Sequence, residues 1–319
     1  LIVDDGRVVG VRTTKDGRQL RVKAERGVVL GGGGFDHNAE WRQRYQGVDG
    51  AASSGSKGNL GTAIEVAQRI GAAVDLMDDA WWGGSIPAAT PDGNAAFLVS
   101  ERSMPFTILI DGAGKRFANE SESYVDLGHH MLEHSKQVPG KYWMISDVRF
   151  AHRYLRSYVM DPKATKAMAA AGLLVQAPTL GELAERIGVD AASLKATVER
   201  FNGFTRTGVD QDFGRGNSAY DRYYSDPLVR PNPNLGPLEK GPFTAVEIVP
   251  GDLGTKGGLL TDESARVLRE DGLVIEGLYA AGNNSASVMG RTYPGPGSTL
   301  GPATVFGYLA ARHLAGAAN

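Results

Sequence analysis

The sequence of 319 residues contains no cysteine. This absence excludes disulfide bonds, thiolate metal sites, a catalytic thiol and a cofactor linked through cysteine sulfur. A chain without cysteine is compatible with a reducing compartment, and we expect a cytoplasmic location.

Long hydrophobic runs and a strong net charge are also missing. No apolar run approaches the roughly 18 residues of a membrane-spanning helix, so we expect no transmembrane segment. The formal net charge is −2, which gives no reason to expect a nucleic acid or an anionic membrane surface as a partner. Neither a Ser–His–Asp arrangement nor a cluster of metal ligands stands out, so we predict no metal site.

Glycine is abundant, with 43 residues, and one glycine-rich loop is especially informative. The sequence Tyr-Pro-Gly-Pro-Gly at 293–297 follows a strand-like run at 278–283 and leads into an apolar helix near 298–310. Such a loop and helix N-terminus direct backbone N–H groups toward an electron-rich ligand. The Tyr293 phenol and the Gly297 amide are therefore predicted to bind one carbonyl oxygen together.

The first residues read as a strand without an initiator methionine, and we expect the chain to be the C-terminal part of a longer protein. A hairpin follows, because Asp16-Gly17 is a typical two-residue turn between runs rich in β-branched residues. Further along, the periodicity of apolar residues, turn residues and helix caps predicts these elements: strands 27–30, 107–110, 115–117, 142–146 and 274–281, helices 38–45, 62–71, 180–187 and one starting after Asp190, and an extended linker at 227–242.

These elements predict an α/β fold made of one domain in two pieces, with an α+β domain inserted between them. The glycine-rich strand ends are typical of a nucleotide-binding domain, for which we predict residues 1–85 and 252–319. The inserted domain is predicted at 86–251. No strand–GxGxxG–helix unit is present, since the glycines at 31–34 lack that spacing, so a complete dinucleotide site is not expected from this chain alone.

Several short motifs occur in a characteristic order. They are Gly-Gly-Phe-Asp-His-Asn at 33–38, Met-Asp-Asp-Ala-Trp-Trp at 77–82, Gly-Lys-Arg-Phe-Ala-Asn-Glu at 114–120, Pro-Gly-Asp-Leu-Gly-Thr-Lys-Gly-Gly at 250–258, Gly-Asn at 282–283 and the loop at 293–297. Together they resemble the flavoprotein 3-ketosteroid Δ1-dehydrogenases, a branch of the fumarate-reductase-like FAD enzymes. The resemblance implies an incomplete, Rossmann-like FAD-binding domain in two pieces around an inserted catalytic domain. The N-terminal half with the FAD fingerprint, which that family also has, is not in this sequence.

The resemblance implies a dehydrogenation of the C1–C2 bond of a 3-ketosteroid. Tyr293 and the backbone N–H of Gly297 would bind the ketone oxygen, Tyr124 would remove the α-proton, and the β-hydrogen would leave as hydride to flavin N5. A free phenol has a pKa of about 10, so Tyr124 needs a partner that takes or shares its proton. In the family that partner is a tyrosine of the N-terminal part.

The expected cofactor is FAD. By the same resemblance, Gly282, Asn283, Ser298 and Leu300 are predicted to contact it at the start of the last helix, where the helix dipole stabilises negative charge. A further set of candidates for this cofactor comes from the earlier glycine-rich segments: Gly33, Gly34, Phe35, Gly61 and Thr62. Trp81, Trp82 and Phe117 are either the walls of a steroid slot or ordinary core residues.

Other functions remain open at this point. One is a 3-ketosteroid 4,5-dehydrogenase or a flavoenzyme acting on another flat cyclic ketone. Another is a fumarate-reductase-type enzyme, but dicarboxylates call for arginines and histidines rather than a Tyr-Pro-Gly-Pro-Gly loop. The last is an inactive fragment, or a subunit that works only with a separate polypeptide carrying the missing FAD-binding half. The expected partners are a steroid substrate and an external electron acceptor.

Overall fold

The computed structural model describes residues 1–90 and 94–316, and the chain divides into two compact units. The first unit contains residues 1–50 and 55–81 and the chain from Gly254 onward, and the second contains residues 51–54 and 82–253. Within the described ranges, no helix is both long and apolar enough to span a lipid bilayer.

In the described part of the chain, the first unit combines short sheets with three α-helices. Its strands and helices, in chain order, are β1 (Ile2–Asp4), β2 (Arg7–Lys15), β3 (Arg18–Lys23), β4 (Val28–Leu30), α1 (Ala39–Gln46), α2 (Thr62–Gln68), β5 (Val74–Asp75), β12 (Gly258–Leu259), β13 (Arg266–Leu268), β14 (Val274–Ala280) and α9 (Leu300–Leu314). Strands β1, β2 and β3 form an antiparallel sheet, and β12 pairs with β5. The third sheet has the order β13–β14–β4, and its β14–β4 pair is parallel.

The predicted hairpin is confirmed as β2 and β3. Asp16 and Gly17 have φ values of 50° and 74°, the left-handed conformation that two-residue hairpin turns favour. The register places Thr14 opposite Gln19 and Lys15 opposite Arg18. Local turn chemistry therefore fixes the pairing of these two strands.

The second unit is built on one large sheet. Its strands and helices, in chain order, are β6 (Ala80–Ile86), β7 (Ala96–Phe97), β8 (Thr107–Ile110), α3 (Tyr124–Ser135), β9 (Tyr142–Ser146), α4 (Val148–Arg153), α5 (Pro162–Ala170), β10 (Leu174–Ala177), α6 (Leu180–Ile187), α7 (Ala191–Thr207), α8 (Ala219–Tyr223) and β11 (Phe243–Thr255). Strand β6 begins and β11 ends in the first unit. The strand order is β7–β6–β11–β9–β8, and β10 also pairs with β11.

Both faces of this sheet are buried. Ile108, Ile110 and Ile145 pack in a cluster with residues of α6 and α7, including Leu194. The alternate strand residues belong to a second cluster, which holds Leu109, Met144 and Val246 together with Met131 of α3. Because successive strand side chains point to opposite faces, continuous apolar strands are expected where both faces are covered.

The strand predicted at 115–117 is wrong. The preceding turn is held by Asp111, whose Oδ1 accepts the amides of Ala113 and Lys115 at 2.9 Å. The chain then leaves the sheet, because the Arg116 guanidinium is buried between the carboxylates of Glu120 and Asp210. The path of the chain at 115–117 is therefore set by a tertiary ion pair and not by the alternating sequence pattern.

The segment at 227–242 contains turns at 227–228 and 233–234 but no helix or strand, and it is not a free linker. Leu235 and Leu238 are 1% exposed and belong to the core of the second unit. Asn234 is fully buried, and its amide donates hydrogen bonds to the backbone oxygens of Ser103, Asp221 and Tyr224. Since these backbone groups are satisfied by the segment, it is part of the second unit's packing.

Candidate functional site

A cavity of about 380 Å³ lies at the N-terminal end of α9 in the first unit. Strand β14 ends at Ala280, and the chain turns through a short 3-10 helix at Gly282–Asn284, where Gly282 has a φ of 78°. Residues of four segments line the cavity, among them Trp81, Thr255, Lys256, Gly282, Asn283, Ser285, Ser298 and Pro302. The sequence-predicted residues Gly282, Asn283 and Ser298 are therefore brought together here.

The chemistry of this cavity suits a ligand with hydrogen-bond acceptors. Helix α9 has no side-chain cap at Thr299. Its Gly301 amide donates to the Gly297 carbonyl at 2.7 Å and Pro302 has no N–H, so among the first three helical residues only the Leu300 amide has no acceptor in the described chain. The indole N–H of Trp81 is buried and has no hydrogen-bond partner among residues 1–90 and 94–316. A buried donor without a partner is costly unless a ligand accepts from it. These donors fit the carbonyl and nitrogen acceptors of a flavin ring.

Tyr293 is half-buried and lies beside Trp81. The centroids of the two rings are 6.1 Å apart at an angle of 78°, an edge-to-face contact. Through Trp81, the phenol adjoins the wall of the first cavity.

Gly297 lines a second cavity of about 470 Å³, formed by the loop and the first turns of α9. Its φ of 96° favours glycine, and its amide donates to no atom in the described part of the chain. The two cavities share part of their walls, including Val288, Ser298, Pro302 and Phe306. Tyr293 thus lines neither cavity and meets the first only through Trp81, while Gly297 lines the second, so their joint binding of one carbonyl oxygen stays a prediction.

The other cofactor candidates lie elsewhere in the first unit. Gly34 accepts the amide of Gly61 at 3.0 Å, and the Phe35 amide donates to the Thr255 hydroxyl at 3.2 Å. A Cβ on Gly33 would lie 2.3 Å from the Asn59 side chain, and one on Gly61 would lie 2.8 Å from the Trp41 ring. Close packing therefore accounts for these glycines.

Two candidates at helix starts do not line either cavity. Thr62, the first residue of α2, is exposed. Leu300, the first residue of α9, is 74% exposed. Their contacts with a cofactor stay a prediction.

Tyr124 belongs to the second unit and is the first residue of α3. The Ser123 hydroxyl caps this helix by accepting the amide of Asp126 at 3.1 Å. The Tyr124 ring is 4% exposed and packs edge-to-face on Phe97, with centroids 5.1 Å apart. Capping and aromatic packing therefore fix both the backbone and the ring of this tyrosine.

A buried ion-pair network holds the segment just before Tyr124. Arg116 donates two hydrogen bonds to Glu120 and two to Asp210, at 2.7–3.0 Å. Arg215 lies 3.3 Å from Glu120, and both side chains are fully buried. Burial alone would raise the pKa of Glu120, but Arg116 and then Arg215 outweigh it, so its pKa is lowered. The pKa of Asp210 is lowered by Arg116 in the same way, against the effect of burial.

This network predicts a loss of stability in acid. A carboxylate with a lowered folded pKa stabilises the fold fully above its ordinary pKa, which is 4.5 for glutamate. That contribution is lost as the pH falls through the folded pKa. We expect the free energy of unfolding, measured with urea between about pH 7 and about pH 3, to fall steeply on the acid side. Glu120→Gln should flatten that slope, whereas Glu199→Gln, whose parent side chain is 67% exposed, should not.

Two residues predicted as steroid-slot or core aromatics lie in the second unit. Trp82 is 2% exposed, and a Cβ on Gly128 of α3 would lie 2.3 Å from its Cβ. Phe117 stacks on His134 with centroids 5.2 Å apart. Both rings are thus accounted for by packing inside this unit.

Lys256 and Thr255 line the first cavity but were not predicted as site residues from the sequence. Both lie in the Pro-Gly-Asp-Leu-Gly-Thr-Lys-Gly-Gly segment, which carried the resemblance without any assigned role. The available signal was a lysine in a glycine-rich stretch directly after the run that forms β11.

The sequence matches the FAD binding domain family over residues 1–300. The 3-oxosteroid 1-dehydrogenase of Mycolicibacterium smegmatis is 48% identical, with 100% of this chain and 58% of that protein covered. The 4-oxocyclohexanecarboxylate 2-dehydrogenase of Sinomonas cyclohexanicum is 42% identical over 99% of this chain and 55% of that protein. These matches confirm the resemblance inferred from the motifs, and the chain spans just under three-fifths of these curated relatives, 58% and 55% of their lengths.

A solved structure gives the same result. The crystal structure of 3-ketosteroid Δ1-dehydrogenase from Sterolibacterium denitrificans, in complex with 1,4-androstadiene-3,17-dione, superimposes with a TM-score of 0.91 at 43% identity. The match covers 97% of this chain and 57% of that one. The predicted mixed class of helices and strands is confirmed.

Proposed function

Because the chain belongs to the FAD binding domain family, we propose that it is the larger part of an FAD-dependent oxidoreductase that introduces the C1–C2 double bond into a 3-ketosteroid. In this proposal, residues 1–85 and 252–319 form a Rossmann-like FAD-binding domain in two pieces. Residues 86–251 form the inserted catalytic domain. A cytoplasmic location stays a prediction from the composition.

The main support for this proposal is the cavity at the start of α9. Gly282, Asn283 and Ser298 on its lining would hold the flavin, next to the uncapped helix N-terminus and the Trp81 indole N–H. When bound, FAD would supply the hydride acceptor of the reaction. The positive end of the α9 dipole favours negative charge in this cavity.

Two groups of the loop at 293–297 would bind the ketone oxygen. The Tyr293 hydroxyl is a strong neutral donor, and the Gly297 amide is a backbone donor without a partner in the described part of the chain. Hydrogen bonds that strengthen as charge builds on the oxygen make the α-proton more acidic. Tyr124 would then remove that proton from the carbon next to the ketone.

The first test is the colour of the purified chain. A sample that holds FAD should absorb in the visible flavin bands and release FAD on denaturation. A colourless sample that also takes up no added FAD would favour an inactive fragment or a subunit that depends on another polypeptide.

We propose that another polypeptide segment, carrying the nucleotide-binding half, completes the cofactor site. Helix α9 exposes Leu300, Val305 and Tyr308 by 74%, 54% and 62%, and Val29 of β4 is 45% exposed. Strand β4 is at the end of its sheet among the described strands. Exposed apolar side chains on a helix and an open strand edge in the same unit fit a surface that another segment covers.

A second candidate function is the dehydrogenation of a smaller cyclic ketone. The similarity to the 4-oxocyclohexanecarboxylate 2-dehydrogenase of Sinomonas cyclohexanicum favours it. The Tyr293 hydroxyl and the Gly297 amide would bind the oxygen of any such ketone, whether or not it is a steroid. Turnover assays with a 3-ketosteroid and with 4-oxocyclohexanecarboxylate, using an artificial external electron acceptor, separate the two. Product analysis on a 5α-saturated 3-ketosteroid further distinguishes C1–C2 from 4,5-dehydrogenation.

Replacing Tyr293 with phenylalanine should raise the barrier of the chemical step by about 2–4 kcal/mol, the size of one lost oxyanion donor. The measurement is kcat and kcat/KM of the flavin-loaded protein with a 3-ketosteroid. Tyr223→Phe is the matched control, because Tyr223 is 64% exposed in the second unit. Unchanged turnover in Tyr293→Phe would reject the assigned role.

A further inference from the structure

Lys256 is a buried cation in the first unit, 1% exposed. It follows strand β11 and lines the cavity at the start of α9. Its backbone is fixed on both sides, because its amide donates to the Asp79 carbonyl at 3.1 Å and its carbonyl accepts the Ser287 amide at 3.0 Å. Burial of a lysine is costly, so the contacts of its ammonium group indicate what it does.

One contact reaches the backbone that carries Tyr293. The Lys256 ammonium donates a hydrogen bond of 3.1 Å to the carbonyl oxygen of Thr292, the residue immediately before Tyr293. The loop that follows is open to solvent at Pro294, Pro296 and Gly297. A partly buried, charge-assisted hydrogen bond at the start of an exposed loop restricts where the next side chain can lie.

A second contact reaches the Tyr293 ring through Trp81. The Lys256 ammonium lies 4.7 Å from the centroid of the Trp81 ring, a cation–π contact. The Trp81 ring in turn meets the Tyr293 ring edge-to-face. Buried tryptophans are usually oriented by their own N–H, but that of Trp81 has no partner in the described chain. The ammonium therefore contributes to fixing the plane on which Tyr293 rests.

A third contact keeps the ammonium in place. The Asp79 carboxylate, also 1% exposed, lies 3.5 Å from it. The Asp79 backbone carbonyl that holds the Lys256 amide also accepts the Gln46 side chain at 2.9 Å. The cation is thus held by charge and by main-chain hydrogen bonds in one geometry.

We propose that Lys256 is a positioning residue that orients the Tyr293 phenol, through the Thr292 carbonyl on one side and the Trp81 ring on the other. The proposal deepens the proposed function and rests on it, since a fixed phenol matters most if it binds a ketone. Lys256 itself is assigned no contact with the substrate. Its effect on the reaction passes through Tyr293.

The first experiment needs no cofactor. The chain is labelled with 3-fluorotyrosine, and the resonance of Tyr293 is assigned by its loss in Tyr293→Phe. Lys256→Met should shift and broaden this fluorine resonance, and Lys256→Arg, which keeps a cation, should largely restore it. Lys23→Met on the exposed strand β3 is the control and should change nothing.

Lys256→Met leaves Asp79 without its buried counter-charge and is at risk of misfolding. The double variant Lys256→Met/Asp79→Asn removes both charges and keeps a similar volume. It should show the same change of the Tyr293 resonance in a folded protein. An unaltered Tyr293 resonance in either folded variant would overturn the proposal.

The second experiment uses the flavin-loaded protein in a double-mutant cycle. Lys256→Met should lower kcat for a 3-ketosteroid by about 10- to 100-fold with little change in KM, as expected for a misplaced catalytic group. In the Tyr293→Phe background the same substitution should cost little more, because the two residues act as one unit. Equal losses in both backgrounds would show that Lys256 does not act through Tyr293.

The two experiments separate the two proposals. If the protein does not dehydrogenate ketones, turnover is absent in every variant, but the fluorine spectrum still reports whether Lys256 orients Tyr293. If the spectrum responds to Lys256 and turnover does not, the positioning is structural and the catalytic part of the proposal fails.

Discussion

Replacing Tyr124 with phenylalanine should reduce turnover of a 3-ketosteroid by about 100- to 10,000-fold, the usual contribution of a general base. The substitution removes only the hydroxyl. The ring, which is 4% exposed and packed on Phe97, stays in place, and so does the Ser123 cap of α3. The fold should therefore persist while proton abstraction is lost.

The expected loss can be assigned to proton abstraction by two measurements on the flavin-loaded protein. One is the pH dependence of kcat/KM: the ionisation that the parent protein shows on the basic side of the profile should disappear or shift in the variant. The other is the exchange of the substrate's α-hydrogens in deuterated water, which should slow as much as turnover. Tyr223→Phe, at an exposed tyrosine of the same unit, should leave both unchanged. Persisting exchange at the parental rate would contradict the role of Tyr124.

Replacing Arg116 with methionine should lower the free energy of unfolding of the second unit by about 3–5 kcal/mol, because the remaining buried carboxylates lose their counter-charge. Arg116 makes four hydrogen bonds to Glu120 and Asp210, and its side chain is 3% exposed. Its guanidinium also lies 5.0 Å from the Phe201 ring centroid, so packing is lost as well.

Urea unfolding at neutral pH measures this change, and the chain offers a matched control. Arg200 on α7 also pairs with an aspartate, Asp212, but its side chain is 59% exposed. Arg200→Met should therefore lower the free energy of unfolding far less than Arg116→Met, because water screens the exposed pair. Equal effects of the two substitutions would mean that burial of the Arg116 network does not determine its contribution.

Elements with local signals were predicted well from the sequence. Asp16-Gly17 predicted the β2–β3 hairpin because the left-handed turn depends on those two residues. Thr179 and Asp190 predicted the starts of α6 and α7, and both side chains accept an amide of the first turn as expected. These features depend on neighbours within a few residues.

Features that depend on distant residues were missed. The segment at 115–117 alternates like a strand, but Arg116 is drawn to Asp210, which is far away in sequence. The prolines at 227–242 predicted an extended chain but not the burial of Leu235 and Leu238.

The candidate site shows the same limit. The loop at 293–297 and the Gly282-Asn283 pair were visible as motifs in the sequence. Gly282 and Asn283 both line the first cavity. Lys256 was not visible as a functional residue, because its contacts with Asp79, Thr292 and Trp81 come from separate segments. No short-range pattern encodes such a convergence.

The long segment of the second unit, residues 82–253, begins on β6 and ends on β11, and these two strands are hydrogen-bonded neighbours in one sheet. When an inserted segment starts and ends on adjacent strands, both of its connections to the rest of the chain lie close together. Such an insertion can become longer or shorter, or be replaced, while the hydrogen bonds between these two strands are kept. Relatives with different preferences among ketones are thus expected to differ most between these two strands and least at the strands themselves.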